Sequence, residues 1–111
     1  MAVRLIDRRE RLEYVHGDST FYYRRMPLDK RSELLQKNTE RGVLREGEFT
    51  RACLAWCVLG WDNVVDGEGN TIPYEEKLAD YIPDSVQSAL LRITGSAAEV
   101  EADERKNSQS T

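Results

Sequence analysis

Cys53 and Cys57 lie one helical turn apart, and theirs is the first spacing in this 111-residue chain that could do chemistry. Thiolates at i and i+4 share a helix face and could supply two ligands to zinc. A closed site needs four, and His16 is the sole histidine. The pair therefore reads as small apolar residues in a core stripe. Asp62, Asp66, Glu68 and Asn70 suggest a calcium loop. With Asp62 at its first position, Val64 falls at the third and Pro73 at the twelfth, where a bidentate Glu is required. Two ligand positions fail, so the segment reads as a solvated turn. Glu75 and Glu76 stand at a helix start, where they complement the dipole. No Gly-x-Ser-x-Gly, Walker or dinucleotide fingerprint occurs, and His16 falls in an expected turn, so no nucleophile–base pairing assembles. The expectation is a protein that is not an enzyme and has no catalytic, metal or cofactor site.

Aromatic residues offer the remaining candidates. Phe21-Tyr22-Tyr23-Arg24-Arg25 combines rings that can stack on bases with cations that can hold phosphates. Lys30, Arg31, Lys37 and Arg41 extend this basic face. Asp18, Asp29, Glu33 and Glu40 interrupt it, so an ordinary mixed-charge strand and helix is the first reading and nucleic-acid binding the second. Trp56 sits on a core stripe. Trp61 follows a glycine and suits either the core or an interface, where tryptophan is enriched.

These residues have to be positioned by a small set of elements. Leu12–Val15 alternates apolar with polar, His16-Gly17-Asp18-Ser19 supplies a turn, and Thr20–Met26 returns as an aromatic-rich strand, which together predict a hairpin. Residues 1–11 form an arm with only Val3, Leu5 and Ile6 to anchor it. After Pro27, Asp29 is the expected N-cap of a helix through Leu34 and Leu35, with Gly42 as its C′ residue. Phe49, Ala52, Cys53, Trp56 and Cys57 fall at helical spacing, and the helix is apolar nearly all round towards Leu59. Gly60 is the expected end of this central helix. Val64-Val65 and Thr71-Ile72 flank glycine-rich turn residues and predict a second hairpin over Gly60–Tyr74. A short helix follows Pro73 with Leu78, Tyr81 and Ile82 as its apolar positions. Another follows Pro83-Asp84-Ser85 with Val86, Ala89, Leu90 and Ile93 on one face. Residues 96–111 are polar and predict a disordered tail.

The fold expectation is therefore a mostly helical α+β domain over residues 1–95, with four short-to-medium helices and two small hairpins packed on the Phe49–Leu59 helix. Net charge is −4, yet residues 1–45 carry 11 Lys/Arg against 7 Asp/Glu and residues 46–111 carry 5 against 13. Such a split favours head-to-tail contacts, including homo-oligomers. No apolar run approaches the ~20 residues of a membrane span. Met1-Ala2-Val3-Arg4 leads straight into charged residues without a secretory signal, so free thiols in a cytoplasm are expected.

The order of features resembles small tail assembly chaperones of tailed phages and prophages. Ile6–Val15 is similar to the opening of such proteins, with Arg8 where that opening carries proline. Phe21–Met26 followed by Pro27-Leu28 resembles their extended segment entering a first helix. The apolar helix running into Gly60-Trp61-Asp62-Asn63-Val64, Asp66-Gly67-Glu68-Gly69-Asn70 and Ile72-Pro73-Tyr74 is the fullest part of a likeness over residues 5–93. The resemblance implies a non-enzymatic protein of the host bacterial cytoplasm that binds the helical tape measure protein, keeps it soluble and helps deliver tail tube subunits. Trp61, Tyr74, Phe21 and Tyr23 are the candidate partner-binding residues. A phage-encoded nucleic-acid-binding or regulatory module is the alternative.

Overall fold

The computed structural model describes residues 2–96. Strands β1 (Leu12–His16) and β2 (Ser19–Tyr23) form the expected first hairpin, with Leu12 opposite Tyr23 and His16 opposite Ser19. The two-residue turn has Gly17 at φ 61° and Asp18 at a negative φ, the pattern of a type II′ reversal. Helix α1 spans Leu28–Lys37, then β3 (Thr39–Glu40) pairs with β4 (Val43–Leu44). Helix α2 (Glu46–Cys57) runs directly into β5 (Val58–Asp62), which joins β2 antiparallel and gives a sheet of order β1-β2-β5. A 3-10 turn at Glu76–Tyr81 and helix α3 (Asp84–Ile93) complete the described chain.

The fold class is α+β with four helical segments and two small antiparallel sheets among the described residues. Helix accounts for 40% of them and strand for 22%, so the chain is less helical than its pattern suggested. The largest correction is at the end of α2. The expected helix to Leu59 stops at Cys57, and Val58 turns extended at φ −82°, ψ 120°. A stretch that is apolar on every side suits a buried strand as well as a buried helix. Here the open edge of β2 takes it, with the Arg24 N–H donating to the Cys57 carbonyl at 2.9 Å. Gly60 is accordingly a buried strand residue opposite Tyr22 and does not end a helix.

Two further expectations are corrected nearby. Asn38 donates from its side chain to the Leu34 carbonyl at 2.8 Å, and the Thr39 hydroxyl donates to Leu35 at 2.6 Å. These bonds satisfy the last carbonyls and end α1 at Lys37. Arg41 and Gly42 then both take positive φ, 53° and 78°, as a type I′ reversal between β3 and β4 requires. The second two-stranded unit thus lies at 39–44, where a helix end was expected. At the other end of α1, Pro27 occupies the cap position and Asp29 lies in the first turn, its carboxylate drawn to the Arg8 guanidinium 2.6 Å away.

Helix α2 is central, as its all-round apolarity implied. Leu54, with Val58 just beyond the helix end, faces a cluster that includes Phe21, Trp61, Ala79, Ile82, Val86 and Leu90. Phe49, Cys53 and Cys57 face a second cluster, with Met26 and Leu34. Both thiols are buried, and burial raises the Cys57 pKa to about 11. Helix α3 closes the first cluster with the expected Val86 and Leu90, with Ile93 packed partly buried against it and Ala89 buried as well, then turns at Gly95, φ 88°. The expected polar tail lies outside the described residues from 97 onward. Ser96 is buried, its hydroxyl 3.0 Å from that of Thr94.

Candidate functional site

The segment between β5 and the 3-10 turn is built by its polar residues. Asn63 adopts φ 58°, a conformation asparagine tolerates. Its side chain donates to the Asp18 carbonyl at 2.9 Å, and the Ser19 hydroxyl donates to the Asn63 carbonyl at 2.7 Å. Beyond it, Ile72 N–H donates to the Val64 carbonyl, Val65 bridges Thr71, and Asp66 N–H donates to the Asn70 carbonyl. The expected second hairpin is present only as this single bridge and its flanking bonds. Asp66 closes the tip by accepting the N–H groups of Glu68 and Asn70 at 2.9 and 3.0 Å. Those donors, Asn70 foremost, hold its carboxyl below the usual carboxylate range. The acids of this turn therefore serve architecture and a fixed negative charge.

This loop and the 3-10 turn enclose a groove of about 550 Å³, within the range of ligand-binding clefts. Phe21 and Trp61 form its floor. Val64, Val65 and Ile72 make one wall, and Leu78, Tyr81, Ile82 and Pro83 make the other, with Asp66 and Gly67 at the mouth. The two floor rings meet edge to face at 6.0 Å between centroids. Tyr74 meets the other side of Trp61 at 4.9 Å and 87°. The indole N–H donates to the Ile72 carbonyl at 2.9 Å and the Tyr74 hydroxyl to Val58 at 3.2 Å, so both polar handles are satisfied inside. The rim is open. Tyr81 is 81% exposed and Val65 50%.

Three of the four candidate residues, Phe21, Trp61 and Tyr74, are thus brought into one aromatic cluster at this groove. Tyr23 is not. It stands opposite Leu12 and Val58, past a register shift in β2, and does not line the groove. Sequence reasoning missed the rim. Tyr81 was expected to face inward with Leu78 and Ile82, but in 3-10 geometry residues three apart eclipse one another. Tyr81, at the end of the turn, is left exposed, while Leu78 packs half-buried against the core, and both line one wall of the groove. The nearest signal was the crowding of Tyr81-Ile82-Pro83, three bulky residues in a turn too short to bury them all.

The basic aromatic run is occupied with internal contacts. Arg25 grips the Glu10 carboxylate with its Nε at 2.8 Å and a terminal nitrogen at 3.0 Å. Arg24 lies 3.7 Å over the Trp56 ring and donates from Nε to the Trp56 carbonyl. Arg11 covers the Tyr22 ring at 4.1 Å, and the Tyr22 hydroxyl donates to Asp62. Arg8 pairs with Asp29, and Lys30 and Lys37 both pair with Glu33. Phe21 is buried. These contacts knit the arm to β2 and α2, with the Tyr22 ring under Arg11 and Arg24 over Trp56.

Among the described residues, no group of three or more His, Cys, Asp or Glu converges as a metal-ligand set, and no helix is long and apolar enough to cross a membrane. His16 lies exposed, with Nδ1 3.4 Å from the Tyr14 hydroxyl. What the groove can do chemically is take apolar side chains, with acidic residues at its edge to favour basic flanks. No family model, curated protein or solved structure matches the chain.

Proposed function

We propose that this chain is a non-enzymatic protein-binding module: a tail assembly chaperone of a phage or prophage that holds a helical tape-measure-type partner in the host cytoplasm. The observation that carries the reading is the groove floored by Phe21 and Trp61 and rimmed by Val65 and Tyr81. An amphipathic helix docks by laying apolar residues spaced i, i+3/i+4 and i+7 into such a cleft. Keeping an aggregation-prone helix soluble requires covering that stripe, and no chemistry beyond apolar contact. The tape measure identity of the partner, and the delivery of tail tube subunits, come from the resemblance over residues 5–93.

Co-expression with a phage tape measure protein tests the reading. The soluble fraction of the partner should rise when this chain is present and fall back with Tyr81→Asp, which puts a charge on the rim without disturbing the core. A partner equally insoluble with and without this chain refutes the reading.

A further inference from the structure

Residues 2–6 carry three large apolar side chains, Val3, Leu5 and Ile6, that are 89%, 83% and 40% exposed. The arm is not loose throughout. Glu10 is bound by Arg25, the Arg8 carbonyl accepts from Arg24, and Asp7 to Glu10 closes a turn. What projects is a short stretch without regular structure that leaves the body near Pro27, where Leu5 and Ile6 line a shallow depression. In an extended chain Val3 and Leu5 share one edge and Arg4 points to the other. The groove is floored by Phe21, at the middle of β2, and no residue of the arm lines it; Leu5 and Ile6 line a separate depression instead.

The charges of the two surfaces match. Residues 2–11 hold four arginines and two acids, with Arg8 paired to Asp29, Arg9 to Asp7 and Arg11 set over Tyr22, so that Arg4 is the cation of the projecting stretch. Residues 62–84, which carry the groove's loop and 3-10 turn, hold seven acids and one lysine. Arg51 neutralises Asp80 and Lys77 neutralises Glu75. Asp66 at the mouth, with Glu68 in the same turn and Asp84 next to Pro83 in sequence, keeps this edge negative. A surface of this kind rejects an acidic segment and favours a basic one with alternating apolar residues. Val3-Arg4-Leu5 has that composition.

We infer that the groove of one copy accepts the Val3–Ile6 arm of a second copy, so that this chain self-associates arm to groove. This rests on the groove being a protein-docking surface, as proposed above, and adds the occupant that covers it when no partner helix is bound. Val3 and Leu5 enter over Trp61 and between Val65 and Tyr81, and Arg4 faces the acidic rim. Because arm and groove are different surfaces of one chain, the contact is heterologous and each copy keeps one unfilled arm or groove unless the assembly closes.

Sedimentation velocity on the full chain tests it. The wild-type protein should show a concentration-dependent larger species that weakens with added salt, as contacts between exposed charges do. Leu5→Asp and Tyr81→Asp should each lose that species at every concentration. Mixed one to one, they should regain a dimer, because one variant supplies an intact groove and the other an intact arm. A wild-type chain that stays monomeric across its soluble range overturns the inference, and so does a mixture that remains monomeric. Leu5→Asp should still solubilise the tape measure partner, whereas Tyr81→Asp should not. Failure of the arm contact is thereby separable from failure of the chaperone reading.

Discussion

Glu10→Gln isolates the contact that fastens the arm to the sheet. The Glu10 carboxylate accepts three hydrogen bonds from Arg25, from its backbone N–H at 3.0 Å, its Nε at 2.8 Å and a terminal nitrogen at 3.0 Å. The Asp7 N–H adds a fourth at 3.2 Å. Only 12% of the Glu10 side chain remains exposed, against 33% of Arg25. Chiefly through the Arg25 guanidinium, and against the opposing effect of burial, the carboxyl is brought from 4.5 down to about 2. At about 1.36 kcal/mol per pH unit, that displacement sets a ceiling of about 3 kcal/mol on the preference for the charged form. The part of Arg25 that faces water screens the pair, which leaves about 1–2 kcal/mol.

The sign follows from which state holds the proton more tightly. The folded chain binds it more weakly than the unfolded chain, so this stabilisation is complete above about pH 4.5 and is lost as pH falls towards about 2. Urea unfolding followed by tryptophan fluorescence should find Glu10→Gln about 1–2 kcal/mol less stable than wild type near neutral pH. The gap should narrow steadily below about pH 4.5, where the wild-type carboxyl begins to protonate in the unfolded chain. Asp7, Asp29, Glu33 and Asp66 titrate in both proteins and largely cancel in the difference. A gap that stays constant from neutral to acid pH refutes the argument, because the loss would then arise from shape and not from charge.

Trp61→Ala should cost on the order of 3–5 kcal/mol in the same assay, while Trp61→Phe, which keeps a ring but drops the bond to Ile72, should cost about 1 kcal/mol. The Cys53 and Cys57 thiols are 1% exposed and raised in pKa by burial, so a disulfide reagent at mildly alkaline pH should titrate them only after denaturation. Rapid modification of the native chain would contradict their placement. Two glycines should respond in opposite directions. Gly42→Ala, at φ 78° in the β3–β4 turn, should lose about 1 kcal/mol. Gly47→Ala, in the first turn of α2 with nothing near its added methyl, should gain up to about 1 kcal/mol, both read from thermal midpoints.

Local pattern carried the first hairpin, the core stripe of α2 and the buried face of α3, because each depends on spacing within a dozen residues. It failed where two local options were equally good and a distant element decided. Val58 and Leu59 fit helix or strand, and the open edge of β2, some 35 residues earlier by Tyr23–Val58 pairing, selected strand. Gly42 fits a helix end or a type I′ turn. Asn38 and Thr39 decided by ending the helix early, and their bonds to Leu34 and Leu35 were readable in principle from residue type. The second hairpin was overdrawn for a related reason. Its turn chemistry is genuine, but among the described residues Val65 and Thr71 find no third strand to extend the pairing, and an isolated two-stranded ribbon is marginal.

The groove was the least legible feature, since it belongs to the gap between β2, the 63–75 loop and the 3-10 turn. Its floor was found because tryptophan and phenylalanine invite notice. Its rim was not, because Tyr81 looked like one more core residue. That difference bears on whether Trp61 belongs to the core or to an interface. With 8% of its surface exposed and its indole N–H bonded inside, Trp61 is a core residue whose one open edge forms the base of the cleft. Truncating it should damage fold and binding together, so no result on Trp61 alone can assign it to either role. Val65 and Tyr81 contribute little to the core and much to the rim. A charge at either position changes what the groove accepts while Phe21, Trp61 and Tyr74 stay packed, and binding separates from folding there.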